Sequence, residues 1–335
     1  MPQFRVHQFP VAGGSLEEAA REQRDPGRGE VRIRIEACGV CHSDVLSSFL
    51  ASSFPIVPGH EIAGVIDAVG DGVGNWSPGD RVGVGWYGGV DGTCRACRSG
   101  ASINCAHLRT PGLAYDGGYA DLVVVPVEAV AAIPDVLTFV EAAPLMCAGV
   151  TTFNALRSSV ARAGDLVAIL GVGGLGHLGV QFAAKMGFET VAIARGEDKA
   201  ESAKTFGAHH YIDSTSSNVA SELQALGGAR VILSTVTNAA AMTAAVGGLG
   251  LKGQMVVVGV SEESIEAAPF VLVGQSRSIT GHPSGTSQDS EDTLRFAALS
   301  GVRPVVETYS MSEASKAFER MLSGQARFRV VLTNP

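Results

Sequence analysis

Apolar and polar positions along this chain change their period near residue 150. Before it, short runs such as Val31-Arg32-Ile33-Arg34-Ile35 and Ile62-Ala63-Gly64-Val65-Ile66 are broken by Gly, Pro and Asp. Alternation of this kind keeps one face wet, so this part predicts a mostly antiparallel β domain. After residue 150 strand-like runs lie at 166–170, 190–194, 211–212, 230–233, 254–258 and 277–280, the first of them continuously apolar. Helical spacing lies between most of them, notably over 239–246. It also appears where Leu178, Phe182 and Met186 recur every fourth residue before Gly187 ends the run. Six strands with helical crossovers predict an α/β, doubly wound parallel sheet. Residues 281–335, with a terminal apolar strand at 328–332, return to the first domain. The expected division is therefore 1–150 with 281–335, and 151–280, and two domains suit this length.

The first strand of the second domain runs directly into Gly171-Val172-Gly173-Gly174-Leu175-Gly176 and then into a helix. Glycine turns are common in a chain with 42 Gly. One placed between strand and helix meets the structural condition for dinucleotide binding. Gly171, Gly173, Gly174, Leu175 and Gly176 would form the tight turn and let backbone approach a pyrophosphate at the helix N-terminus.

Three distant fragments carry a different chemistry: Cys41-His42-Ser43-Asp44, Gly59-His60-Glu61, and Cys147 within 144–149. Two thiols and an imidazole can hold one Zn²⁺ with a fourth position open, the ligand count of a catalytic zinc. The open position lets a metal act as a Lewis acid on a substrate oxygen. Singly, each residue has a plainer account, a Cys as a small buried hydrophobe and a His as a satisfied polar side chain.

Taken together, several segments resemble a zinc-dependent medium-chain alcohol dehydrogenase over essentially the full length. They are Gly39-Val40-Cys41-His42-Ser43-Asp44, Pro58-Gly59-His60-Glu61, Gly79-Asp80-Arg81-Val82, the stretch from Cys94 to Cys105, Cys147-Ala148-Gly149-Val150-Thr151 and the glycine turn. The resemblance implies a GroES-like catalytic domain and a Rossmann domain enclosing a cleft. It implies zinc ligands at Cys41, His60 and Cys147, Glu61 close enough to exchange onto the metal, and Asp44 orienting His60. Ser43 would bond the substrate oxygen and take its proton. The relay histidine that the family often has three residues further on is replaced by Leu46, which leaves a water chain, the cofactor ribose or His42 to serve. The family's structural zinc pattern C-x2-C-x2-C-x7-C is matched by Asp91, Cys94, Cys97 and Cys105, with aspartate in the first position. Three thiolates and a carboxylate still close a tetrahedral shell; the other reading is a lobe without metal. Thr151 resembles the residue under the nicotinamide ring, and Arg329 the pyrophosphate-contacting arginine, with Arg327 a neighbouring register.

Cofactor choice turns on the end of the second strand, where NAD sites place an acid on the ribose. Here Ala194-Arg195-Gly196 stands instead, with Lys199 a turn later. A 2′-phosphate meets no repulsion and Arg195 offers a planar fork, so NADP(H) is favoured, with Glu197 or Asp198 the ribose partners if NAD is used. Trp86, Tyr87, Leu46, Phe49 and Met146 are candidate pocket walls and suit primary alcohols and aldehydes, aliphatic or benzylic. Two other functions share this architecture: a zinc-free reductase of activated double bonds, and a non-catalytic dinucleotide-binding protein. Intact Cys41, His60 and Cys147 speak against both.

The net charge of −8 argues against nucleic acid or an anionic membrane as partner. Zinc accounts for five of the six cysteines and leaves Cys38 as a small buried residue, so no disulfide framework is expected. His209, His210 and His282 show no ligand spacing. With no leader peptide and no membrane-spanning apolar stretch expected, a cytoplasmic protein is predicted, and the resemblance implies a homodimer or homotetramer built on the Rossmann edge strand.

Overall fold

The computed structural model describes residues 2–334 and divides into two compact units, Met1–Val150 with Gly285–Pro335, and Thr151–Ser284. The second crossing falls after Ser284 because residues 278–281 pair with Val257 and its neighbours and so belong to the second unit's sheet.

The first unit is organised by the strand Glu30–Val40. It lies between Ile62–Val69 and Arg329–Thr333, antiparallel to both, and also pairs with Leu122–Pro126. Arg81–Val84 and Val130–Ala132 extend one side, and Val306–Ser310, the one strand laid parallel to its neighbour, closes the other. The strand read at 31–35 is longer than the sequence pattern predicts. It continues to Val40 through two register shifts because its backbone is paired on both sides. Val31, Ile33, Ile35, Ile62, Ile66, Val82, Val125, Val330 and Leu332 form the core. Register then decides where the chemistry falls. Cys38 opposes Ile62 and Leu332, and Val40 opposes Val330. The residues just beyond these pairs, Cys41, His60-Glu61 and Arg329, therefore emerge at one end of the sheet.

The second unit is a six-stranded parallel sheet. Its spatial order is His210–Asp213, Glu189–Ala194, Leu166–Leu170, Ala229–Ser234, Leu249–Val257 and Ser278–Gly281. The order runs outward from the first strand in both directions, the doubly wound arrangement that opens a crevice beyond the strands' carboxyl ends. Helices Gly176–Lys185 and Ala239–Val246 are among its crossovers.

One helical run, Phe139–Arg157, is long and apolar enough to cross a membrane by length and composition, whereas the sequence pattern predicts none. Most of it is buried inside the protein, so its apolar surface is that of a core helix.

Candidate active site and metal centres

Cys41 ends the central strand and caps the short 3₁₀ helix His42–Leu46. Its backbone N–H donates to Asp44 Oδ2 at 2.9 Å, and the hydroxyl of Tyr119 donates to the same oxygen at 3.0 Å. Asp44, 1 % exposed, presents its other oxygen 2.8 Å from His60 Nδ1. The imidazole is thereby fixed with Nδ1 toward the carboxylate. Nε2 is left buried without a hydrogen-bond partner.

That orphan nitrogen faces two thiols and a carboxylate. The ligand atoms of Cys41, His60, Glu61 and Cys147 all lie within 4.8 Å of one another. The two sulfurs are 4.0 Å apart, close to the roughly 3.8 Å of two thiolates on a zinc tetrahedron with bonds of about 2.3 Å. Cys147 arrives on a π-turn, Leu145–Gly149, immediately after the in-helix Pro144, where the missing proline N–H disturbs the regular ladder. A buried polar nitrogen with no partner, beside two thiols and a carboxylate, is a donor set that fits a divalent zinc ion.

Glu61 pairs with Arg329, whose Nη2 also donates to Val40 O. Glu61 Oε2 stays buried and unpartnered. The approach is close: a Cβ at residue 39 would lie 1.9 Å from the Glu61 carboxylate, so only glycine fits there. Burial raises Glu61 to about 7 against the pull of Arg329. Cys41 is held well below its ordinary value by the hydrogen bond with Cys147, by His60 and by Arg329, against the effect of burial, while Cys147 is raised by its bond with Cys41 and by burial. Burial opposes charge on His60, but Asp44 and Cys41 raise it well above its usual value.

Among the other anticipated residues, Trp86 sets its ring edge-on to His60 at 5.0 Å. Ser43 and Leu46 are half-buried and His42 is exposed. Phe49 is 53 % exposed and Met146 fully buried, so Met146 is core and Phe49 is not enclosed by its own unit. Arg329 is also buried, engaged with Glu61 and Val40 as described. Cys38 is a buried thiol, raised by desolvation.

The second donor cluster lies in one lobe. Asp91, Cys94, Cys97 and Cys105 also bring their ligand atoms within 4.8 Å, and Cys94 and Cys105 sulfurs are 3.8 Å apart. Backbone N–H groups of Cys97 and Ala106 lower the Cys94 thiol, while burial and the neighbouring thiols push Cys97 up to about 12. His107 Nδ1 lies 2.6 Å from Asp91 Oδ2. Sequence reasoning passed over His107 and Tyr119. His107 stands two residues after the last cysteine, which was a usable signal, whereas nothing local marks Tyr119.

In the second unit, Gly171 takes φ +97°, and a Cβ on Gly176 would lie 1.7 Å from Gly171 O. The space around Gly173 is open, as a close approach of phosphate to backbone requires. Arg195 is exposed at the end of its strand, and Lys199 N-caps the helix Ala200–Thr205. Asp213, also unanticipated, braces this loop by accepting from Gly196 N at 2.7 Å and from Thr215 and Ser216. Thr151 donates to Ser284 Oγ at 3.1 Å.

Two family models match the chain: an alcohol dehydrogenase GroES-like domain over residues 27–135 and a zinc-binding dehydrogenase over 174–299. The chain is 42 % identical over 324 residues to alcohol dehydrogenase patD of Penicillium expansum, covering 96 % of this chain and 94 % of that one. It is 39 % identical to an alcohol dehydrogenase of Geobacillus stearothermophilus, covering 98 % and 97 %. Among solved structures, a cinnamyl alcohol dehydrogenase of Sorghum bicolor superposes with a TM-score of 0.88 at 29 % identity, over 99 % of this chain and 98 % of that one.

Proposed function

Because the chain belongs to the zinc-dependent medium-chain alcohol dehydrogenase family and is an alcohol/aldehyde oxidoreductase, we propose that it works through zinc, favours NADP(H) over NAD(H), and acts on primary alcohols and aldehydes, aliphatic or benzylic. The observation that carries the zinc reading is the buried, partnerless Nε2 of His60 among two thiols, with Asp44 occupying Nδ1. Cys41, His60 and Cys147 would hold the metal. When bound, zinc supplies Lewis acidity, making an alcohol easier to deprotonate and an aldehyde carbonyl more electrophilic.

The protein's own residues do the rest. Asp44 keeps Nδ1 protonated so that Nε2 presents its lone pair. Arg329 holds Glu61 to one side, leaving one oxygen free to exchange toward the metal. Ser43 Oγ would accept the alcohol proton as its own hydroxyl proton passes on, and exposed His42 beside it offers the route to solvent that Leu46 cannot. The glycine turn 171–176 would hold the pyrophosphate of a nicotinamide cofactor and Thr151 its ring, and that cofactor would supply the hydride chemistry. NADP(H) is supported by exposed Arg195 where an NAD site carries an acid. A benzylic or related alcohol is supported by Trp86 beside His60 and by likeness to a cinnamyl alcohol dehydrogenase.

Asp91, Cys94, Cys97 and Cys105 would hold a second, structural zinc. A cytoplasmic location is supported by six unbridged cysteines, which suit a reducing compartment. The edge strand Ser278–Gly281 and the exposed Phe270 and Val273 before it support a homodimer or homotetramer; light scattering that returns a monomer refutes this.

The test is zinc content on the same sample used for initial rates with NADPH and NADH against benzaldehyde and short aliphatic aldehydes. Zinc-containing enzyme with NADPH-preferring turnover is the expected result. Turnover in zinc-free protein, or in Cys41→Ser, refutes the zinc mechanism.

A further inference from the structure

Aspartate in place of a thiolate creates a positioning problem. A thiolate offers a metal one large atom, whereas a carboxylate offers two oxygens and can rotate between them. In the lobe that rotation is held at both ends. Asp91 Oδ1 accepts the backbone N–H groups of Thr93 and Cys94, at 2.8 and 2.9 Å. Oδ2 lies 2.6 Å from His107 Nδ1. His107 also donates its backbone N–H to Cys105 Sγ at 3.3 Å. One residue thus touches the first and last of the four donors, which are far apart within the segment. Any residue but proline at 107 could supply the backbone contact; only the side chain supplies the other.

We propose that His107 is the positioning residue that lets Asp91 serve as a metal ligand, its imidazole fixing the carboxylate as an outer partner fixes a ligating group. The proposal rests on the reading of this lobe as a zinc site. The His107 side chain is 76 % exposed, and exposed ion pairs contribute little to folding. Its loss should therefore be felt in metal retention rather than in the stability of the metal-free chain.

The experiment dialyses purified full-length protein against graded chelator and counts zinc per chain by elemental analysis. Wild type releases zinc in two steps, and the step missing from Cys97→Ser belongs to the lobe. His107→Ala moves that step to about 10- to 100-fold lower chelator. It leaves the other step and the melting temperature of metal-free protein unchanged. His107→Asn, which places an amide N–H near the lost Nδ1, restores most of the retention. In an Asp91→Cys background His107→Ala has no effect, because a thiolate needs no such partner. A lobe step unmoved by His107→Ala overturns the role of His107 but leaves the zinc site standing. A single release step in wild type, identical in Cys97→Ser, overturns both.

Discussion

Asp44→Asn is the sharpest perturbation of the catalytic centre, because it changes one atom and almost no volume. Asp44 Oδ2 accepts from Cys41 N and Tyr119 OH, and Oδ1 faces His60 Nδ1 at 2.8 Å. An asparagine can keep its oxygen toward Cys41 and Tyr119, but its NH₂ then faces the Nδ1–H of His60, donor against donor. The imidazole escapes by moving its proton to Nε2, which removes the lone pair a metal needs. Turning the amide over shifts the same clash onto Cys41 N–H and Tyr119. Either way one buried donor is left unmet, at a cost of about 1–3 kcal/mol to the metal-free fold. Loss of such an outer partner weakens metal binding by about 10- to 100-fold, or about 1.4–2.8 kcal/mol. The assay is zinc affinity by competition with a chromophoric chelator, with NADPH binding measured alongside to show that the glycine turn is intact. Zinc affinity within about twofold of wild type, in a variant that folds and binds NADPH, would falsify the claim that Asp44 sets the His60 tautomer.

Three further outcomes are expected. Gly176→Ala forces a methyl group into Gly171 O, 1.7 Å away; it should weaken NADPH binding and cost about 1–3 kcal/mol in denaturant unfolding, and unchanged values for both remove the packing argument. Arg195→Ala should raise KM for NADP by about tenfold or more and leave KM for NAD nearly unchanged; equal effects eliminate the phosphate contact. Burial holds His7 below its ordinary value, against the pull of Glu18, so the unfolded chain binds the proton first. Stability should therefore fall as the pH drops below about 6.5, and His7→Leu should flatten that slope in urea titrations between about pH 8 and 5.

The parallel sheet was legible because its central strands carry apolar runs, at 166–170, 191–194 and 231–233, and Leu166–Leu170 and Ala239–Val246 have the bounds their patterns predict. The antiparallel unit was legible only in outline. The length of Glu30–Val40 depends on partners from three other segments, and no window of the sequence contains them. Donor residues could be read because Cys, His and Asp at these spacings have few other uses. Of their supports, Asp44 could be read beside Cys41, but those brought in from a distance could not. Tyr119 looks like any core aromatic until strand pairing brings it to Asp44, 75 residues away in sequence. The pairing of Arg329 with Glu61 depends on Val330 lying opposite Val40.

The two donor clusters differ in what holds them, and so in what losing a metal would do. The lobe gathers its donors from residues 91–105, tied by turns and local N–H contacts, and Asp91, Cys94 and Cys97 are partly exposed while Cys105 is buried. Without metal its groups can be solvated, and the change stays within a loop. The catalytic cluster draws on residues 41, 60–61 and 147, delivered by the ends of two paired strands and a π-turn. There two thiols and the carboxyl groups of Asp44 and Glu61 are gathered in and beside the core, and Arg329 is already committed to Glu61. Buried charge without a partner is costly, so the metal-free centre must hold protons that a bound cation would displace. Metal affinity at this cluster would therefore be coupled to the folding of the whole first unit, through the register that aligns Cys38 with Ile62 and Val40 with Val330. At the lobe it is coupled only to the shape of one loop.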